Sequence, residues 1–492
     1  MNEDANSSCA LTAQYDNWQT IPWKNVIQRV SRLQRRIAKA VQNEQWGKAK
    51  SLMFLLTKSF DAKLLAVYRV TTNKGGNTPG VDNQLWLNGY EKIDQAKALT
   101  TRNYSPKPLR RVYILKKNGK KRPLSIPTLK DRAIQTLFAM ALEPFAETMA
   151  DPNSYGFRPR RSCNDAVAQC FIALSRKVSA QWVFEADIKS CFDEIDHQWI
   201  LDNIPINKSI LGKWLKAGYV EKKHLFPTTK GTPQGGTISP LLMNMVLDGM
   251  ETLLNKHFPK WKKEKVNFVR YADDFIITAK NKEIITNKII PLVTNFLKER
   301  GLSLSAEKSK ISHINDGFDF LSQNIRKYRG KLIIKPSKNA VQSFKDKVKT
   351  IFKNNRGIPA HALIRKLNPV IRGWSNYHKG ICAKRTFHRL QSFIWWQCRR
   401  WAKHQHGNKN RWWIFYRYFQ NYHFTDQLKT RKGITNYRLY KISVIPIAYH
   451  VKVKSNANPY LPQYDKYFLY RTKWREEIAK NCKQKTNFVS SN

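Results

Sequence analysis

Two short apolar arms meeting at a pair of adjacent aspartates, FVRYADDFII at 268–277, constrain this chain more than any other stretch. The Val, Ile, Phe and Tyr side chains on either side favour extended backbone, and a tight turn between them lets both arms bury one face. Asp273 and Asp274 then stand at the tip of a hairpin. An ordinary surface turn carries the same residues, so a further signal is needed. It comes from Asp187 in VFEADIKSCFDEI, 86 residues before Asp273, another acid directly after an apolar strand pattern. Two strand ends can aim carboxylates at one point. From 182 to 325 the short strands alternate with helical patterns such as ISPLLMNMVLDGMETLLNKHF (238–258), which predicts an α+β fold with helices on one face of a sheet. Nucleotidyl transfer uses two Mg²⁺ ions roughly 3.5 to 4 Å apart, and Mg²⁺ takes oxygen ligands, so converging carboxylates suit that chemistry.

Charge narrows the partner. The 492 residues hold 88 Lys and Arg against 35 Asp and Glu, a formal net charge of +53. Such a surface repels itself unless a polyanion lies across it, which excludes most small-molecule enzymes and points to nucleic acid. With 41% apolar and 12% aromatic residues the chain can bury real cores, and its length predicts about three domains. Seven cysteines (9, 163, 170, 191, 382, 398, 482) form no CxxC pair and no repeated spacing, which suits a reducing compartment. The first twenty residues lack an apolar run, and no uncharged apolar stretch approaches roughly 18 residues, so neither a secretory signal nor a membrane span is expected.

Along the chain, residues 26–68 place Val30, Leu33, Ile37 and Val41 on one helical face and Arg32, Arg35, Arg36 and Lys39 on others, which predicts one or two amphipathic helices. NKGGNTPGVD (73–82) is a loop. RRVYILKKNGKKRPLSIP (110–127) sets β-formers around Asn118-Gly119, a strong hairpin signal, and 131–150 resumes helical spacing, expected to pack under that hairpin. After Lys335 the character changes: residues 321–492 hold 38 Lys and Arg against five acids, with none from 347 to 425. Seven of the fifteen tryptophans lie there. Trp395, Trp396, Trp412 and Trp413 could stack on bases, but helical spacing makes a core the expected place for them. His404 and His406 lack partners at zinc-ligand spacing, so no zinc site is expected.

YADD (271–274), DIKSCF (187–192) and GTPQGGTISPLLMN (231–244) resemble the reverse-transcriptase signature of group II intron-encoded proteins. TPGVD (78–82), the 110–127 segment, NSYGFRPRRSCNDAV (153–167), FLKERGLSLSAEKSKI (296–311) and GFDFL (317–321) resemble successive blocks of that family, and IRKLNPVIRGWSNYH (364–378) is similar to its maturase, or X, domain. The resemblance runs over roughly residues 26–478. It implies a right-hand polymerase: an N-terminal tail (1–25), a helical extension (26–100), fingers and palm (101–335), an α-helical thumb and maturase X domain (336–422), and a basic DNA-binding region and tail (423–492).

By matching motif positions, Asp187 and Asp273 would bind two Mg²⁺ ions, for which Mn²⁺ can substitute. Asp274 would support them and the Ile188 carbonyl would add a ligand. Lys116 and Arg122 would hold the β and γ phosphates of a deoxynucleotide, although a solvated charged turn has the same composition. Phe192, five residues after Asp187, corresponds to the aromatic that excludes a 2′-hydroxyl; as a bare sequence feature it reads as core. Gln234 lies in a glycine-rich loop that brings backbone close to nucleotide and template, or forms a plain turn. Lys308 matches a lysine proposed to protonate departing pyrophosphate, where a surface lysine is the bland alternative.

The implied activity is RNA-directed DNA synthesis from a DNA primer, with binding of the chain's own group II intron RNA to assist splicing and retrohoming. A location in the bacterial cytoplasm or an organellar matrix or stroma follows. Two departures qualify this. Many relatives continue into an HNH endonuclease with paired CxxC motifs, whereas this sequence ends at Asn492, so no cleavage of the second DNA strand is expected. Ser322-Gln323 stands after GFDFL where relatives often have glycine and an aromatic. The alternatives are a splicing-factor maturase whose polymerase is dispensable and a defence-associated reverse transcriptase linked to CRISPR arrays.

Overall fold

The computed structural model describes residues 15, 17–115, 119, 121–420, 423–430, 433–448 and 450–488. The chain divides into two compact units, each assembled from separated segments. The first takes in the described residues of Met1–Ser162, Phe184–Ile311 and Val453–Lys466, and the second those of Cys163–Val183, Ser312–Lys452 and Tyr467–Asn492. Among the described residues no helix is long and apolar enough to cross a membrane.

The first unit begins with three helices, α1 (Trp23–Gln42), α2 (Trp46–Lys58) and α3 (Phe60–Thr72), where the periodicity predicts one or two. The interruptions are short and carry no Gly or Pro: Glu44 takes φ +56° after α1, and extended Ser59 separates α2 from α3. Of the predicted face of α1, Val30, Ile37 and Val41 are buried, together with Val26, while Leu33 is half-buried, and the buried Gln34 donates from Nε2 to the Met140 carbonyl at 2.8 Å. That carbonyl belongs to α4 (Leu129–Met149), whose main packing is against α1, α2 and α3. The expectation that this helix packs under the basic hairpin is therefore corrected, since its main partners are the three N-terminal helices, which its wide apolar surface serves. Thr128 caps α4 by accepting from the Asp131 amide, while the buried Asp131 carboxylate accepts from the Thr128 and Tyr104 hydroxyls, both at 2.6 Å.

Strands β1 (Leu109–Leu115) and β2 (Lys121–Ile126) pair antiparallel from Arg110↔Ile126 to Leu115↔Lys121, the predicted hairpin. Asn118 of its turn lies outside the described residues; Gly119 has φ +77°. The central sheet runs β4 (Asn267–Tyr271), β5 (Asp274–Ala279), β3 (Trp182–Asp187) and β6 (Lys310–His313) in that spatial order. The helical pattern at 238–258 is broken in two, Ser239–Leu247 and Met250–His257, because Gly249 adopts φ +94° between them.

In the second unit β7 (Phe318–Phe320), β8 (Gln323–Tyr328) and β9 (Lys331–Pro336) form an antiparallel sheet. Helices α5 (Lys338–Lys353), α6 (Ala360–His378), α7 (Lys384–Gln405) and α8 (Arg411–Tyr418) follow, then an antiparallel sheet of β10 (Phe419–Gln420), β11 (His423–Thr430) and β12 (Gly433–Arg438). Phe344, Val348, Leu363, Leu367, Phe387 and Ile394 knit α5, α6 and α7 into one core. Trp395 packs partly against that core, yet Trp396 and Trp412 are 55% and 56% exposed and Trp413 is 37% exposed. Core burial, the expected place for these four, holds for none of the last three. His406 meets the Tyr418 hydroxyl at 2.8 Å and packs edge-on against Trp413.

Candidate active site

The two aspartates stand at the hairpin tip. Tyr271 pairs with Asp274 as the last register of β4 and β5, which leaves Ala272 and Asp273 as a two-residue turn. Ala272 takes φ +59°, a left-handed conformation that a residue with a Cβ adopts only under constraint. The constraint is visible. Tyr155 donates its amide to the Arg270 carbonyl at 2.9 Å and Arg270 donates its amide to Asn153 at 3.0 Å, so the NSYGF segment runs beside β4. A Cβ on Gly156 would fall 2.3 Å from the Ala272 nitrogen, so only glycine lets that segment close on the turn. Beneath, the fully buried Arg270 guanidinium is paired with Asp248 and donates to Asn244 Oδ1 at 3.1 Å.

Asp187 ends β3, the strand beside β5. Its carbonyl accepts from the Ser305 amide at 2.8 Å, Lys189 donates to Ser303 at 2.9 Å, and Ile188 forms a bridge with Leu304. These bonds tie the strand end to the loop that carries Lys308. Lys308 Nζ lies 2.6 Å from Asp187 Oδ2. Lys310 and Glu185 repeat the pairing at 3.2 Å.

The carboxylates feel one another. Burial, then the neighbouring Asp187, raises the Asp273 carboxyl. Burial together with Asp273 and Asp187, which shares a hydrogen bond with it, pushes Asp274 up to about 7. The hydrogen bond to Asp187 raises Lys308, favouring its charged form. Such crowding of negative charge is what a divalent cation relieves, and an all-oxygen donor set suits a hard ion. Among the described residues no group of three or more His, Cys, Asp and Glu side chains is arranged to hold a metal ion, and the cation that meets Asp187 is Lys308. Donor chemistry and charge fit the metal.

Elsewhere in the first unit, Arg122 on β2 donates from Nε to Gln234 Oε1 at 3.1 Å, and Gln234 donates from Nε2 to Asp193 Oδ2 at 3.3 Å. The Ser125 amide donates to the Gln234 carbonyl at 2.7 Å. A Cβ on Gly235 would fall 2.4 Å from the Ser125 carbonyl oxygen, which explains a glycine at φ +130°. Phe192 is half-buried in the short turn Cys191–Glu194, and its carbonyl accepts from the Thr232 amide at 2.6 Å. Phe192 and Gln234 are thus tied to one loop. Lys116 lies outside the described residues. Asp193 was not expected in the site, since an acid early in a helix has an ordinary electrostatic reason to be there; only its three-dimensional link to Gln234 distinguishes it.

Three family models match in order along the chain: the N-terminal domain of reverse transcriptase over residues 18–99, the reverse transcriptase (RNA-dependent DNA polymerase) over 114–325, and the group II intron maturase-specific domain over 341–419. Protein YkfC of Escherichia coli K12 is 32% identical over 346 residues, covering 61% of this chain and 90% of that one. The group II intron-encoded protein LtrA of Lactococcus lactis is 31% identical over 349 residues, 56% of this chain and 57% of LtrA. Maturase-like protein 1 of Euglena gracilis is 28% identical over 375 residues, 74% of this chain and 77% of that protein. Reverse transcriptases work with divalent metal ions, in keeping with the acidic centre. With its polymerase and maturase-specific domains in one polypeptide, the chain belongs to the reverse transcriptases encoded by group II introns.

Proposed function

We propose that this chain copies RNA into DNA, adding deoxynucleotides to a DNA primer at the Asp187, Asp273 and Asp274 centre, and that it binds group II intron RNA to assist its splicing and retrohoming. The observation that carries the catalytic part is the juxtaposition of β3 and β5, which sets Asp187 beside Asp274 with Asp273 on the intervening turn. Two Mg²⁺ ions would supply activation of the primer 3′-hydroxyl and neutralisation of the triphosphate, with Asp187 and Asp273 as their principal holders, Asp274 beside them and the Ile188 carbonyl as a further oxygen.

The remaining roles belong to the chain itself. Arg122, held by Gln234, offers its guanidinium nitrogens to phosphate oxygens, and Lys116, six residues earlier in the sequence, adds charge. Phe192 is anchored through its carbonyl and presents bulk against a 2′-hydroxyl, while Gln234 and Gly235 let the loop approach nucleotide and template. Lys308 moves from Asp187 to the departing pyrophosphate and delivers a proton from Nζ.

For the division of labour, residues 101–335 serve as fingers and palm, 26–100 as their helical extension, 336–422 as thumb and intron-RNA surface, and 423–492 as the DNA-contacting region. The basic run without acids from 347 to 425 supports RNA binding through phosphates. Primer extension on an RNA template with Mg²⁺ tests the proposal. Wild type makes long cDNA and Asp273→Ala makes none, while the variant still promotes intron splicing. A folded, RNA-binding wild type that makes no cDNA would overturn the polymerase half.

A further inference from the structure

Three large aromatic side chains in the second unit stand in solvent where the core does not need them. Trp396 on α7 is 55% exposed, and Trp412 and Tyr416 on α8 are 56% and 73% exposed. They are not scattered. Trp396 meets Trp395 edge-on at 5.0 Å between ring centroids, Trp395 meets the buried Phe419 at 5.6 Å, and Phe419 stacks with Phe415 at 6.0 Å. Phe415 meets Tyr416 at 6.1 Å, and Tyr416 lies nearly parallel to Trp412, at 29° and 6.5 Å. The exposed rings are therefore the two outer ends of one continuous aromatic run whose middle is packed. Hydrophobic burial accounts for the middle. It does not account for the ends.

The cations around them give the ends a use. Arg399 lies 5.4 Å from the Trp396 ring and Arg411 lies 5.2 Å from the Trp412 ring. Trp412 and Tyr416 are four residues apart, on one face of α8, with ring planes near-parallel, so their π faces are turned the same way. Between residues 347 and 425 there are 17 Lys and Arg and no acid. A protein partner for this face would have to bring all the negative charge itself, whereas an unpaired nucleic-acid strand brings a phosphate with every base. A paired strand hides its base faces in the stack, and only its backbone would meet the cations.

We propose that Trp396, Trp412 and Tyr416 form a stacking site for unpaired bases of RNA, with Arg399 and Arg411 holding the adjoining phosphates. The site rests on the RNA-binding half of the proposed function and gives it a structural preference: single-stranded loops or bulges over helices. Each stacked base contributes by its π face and not by its hydrogen-bonding edge, so the site reads the presence of bases and not their order.

The test measures binding of the full-length protein to three probes of equal length at matched salt: an oligoadenylate, a ribose-phosphate oligomer lacking bases, and duplex RNA. Wild type binds the oligoadenylate at least ~10-fold more tightly than the abasic strand, and its tryptophan fluorescence is quenched by the first and not by the second. The pair Trp412→Ala and Tyr416→Ala loses that preference while keeping its affinity for the abasic strand, and Trp412→Phe with Tyr416→Phe restores most of it. Melting temperatures equal to wild type exclude misfolding, and if the alanine pair unfolds, the wild-type quenching decides alone. Equal affinity for base-bearing and abasic strands, or a folded alanine pair that keeps the preference, overturns the stacking site and leaves general RNA binding standing. No binding to any of the three overturns both.

Discussion

The acidic centre of the first unit and the basic face of the second use charge in opposite ways. The centre is a few atoms: three carboxylates and a lysine, with Asp187 held by the Ser305 amide and Asp273 by a two-residue turn. The basic face is a field, 17 cations over 347–425 without an acid. A point centre fails when one group is lost, because every remaining group was positioned to act with it. A field is worn down, since each phosphate contact adds a similar increment and none is indispensable. Fixed geometry marks chemistry, and distributed sign marks grip.

The sharpest way to break that contrast is to delete one charge from each. Asp273→Ala should lower the rate of primer extension by about 10³-fold or more, roughly 4 kcal/mol of transition-state stabilisation, with RNA affinity unchanged. Removing the exposed Arg400 should leave the rate on a short template alone and lower RNA affinity slightly, reducing the slope of log K against log salt by about 0.7. The contrast fails if Asp273→Ala abolishes RNA binding or if Arg400→Ala stops synthesis.

The point centre was also the more legible in sequence. β-favouring residues on both sides of a short polar break located the 268–277 hairpin, and the Asn-Gly pair located the 110–127 hairpin, because both are local signals. What stayed hidden was whatever depends on distant partners. The Gln234 link to Asp193 spans 41 residues, and the Arg270 pairing with Asp248 and Asn244 spans 22 and 26. The third N-terminal helix was missed because Glu44 and Ser59 interrupt the periodicity without any breaker residue. Helical spacing predicted burial for Trp396 and Trp412, but it gives a residue's phase around the axis and not which faces find a neighbour.

The second unit also contains point-like titratable groups, and pH should expose one of them, His378. His378 is buried at the end of α6 with its ring 4.3 Å from Trp374 and 4.8 Å from Tyr377, its Nδ1 makes no hydrogen bond among the described residues, and burial pulls its pKa down from 6.5 to about 4. Since the folded pKa is depressed, the unfolded chain takes up the proton first as pH falls. The stability is fully present above pH 6.5 and drains away toward pH 4, by up to about 3 kcal/mol. Melting curves across that window should fall more steeply for wild type than for His378→Phe, which cannot titrate. Parallel curves would show that the imidazole is not kept neutral.

Back in the first unit, Gly235→Ala asks whether the loop proposed to meet the nucleotide is as exacting as the carboxylates. The added Cβ meets the Ser125 carbonyl oxygen at 2.4 Å and the backbone stands at φ +130°, so the loop must withdraw from β2 and carry Gln234 away from Arg122. A loss of about 2 kcal/mol, read as a rise in KM for deoxynucleotides with smaller change in thermal stability, is expected. An unchanged KM would mean that the loop contacts substrate through other atoms.

The smallest effect should have opposite signs in the two units. Asn244 and Gln323 are both buried amides. Asn244 donates to the Gly156 carbonyl at 2.8 Å and accepts from Arg270 at 3.1 Å, so it braces the segment behind the Ala272–Asp273 turn. Gln323 opens β8 opposite Phe320 and Pro336, and among the described residues neither its amide oxygen nor its amide nitrogen has a hydrogen-bond partner. Replacing a satisfied amide strands its partners, here a buried guanidinium, whereas replacing an unsatisfied one removes a desolvation cost. Asn244→Leu should therefore lower the melting temperature and polymerase activity together, and Gln323→Leu should add about 1 kcal/mol of stability, seen as a higher melting temperature, with activity retained. If Gln323→Leu destabilises instead, its amide is satisfied by ordered water, and the second unit holds a buried polar site as exacting as those of the first.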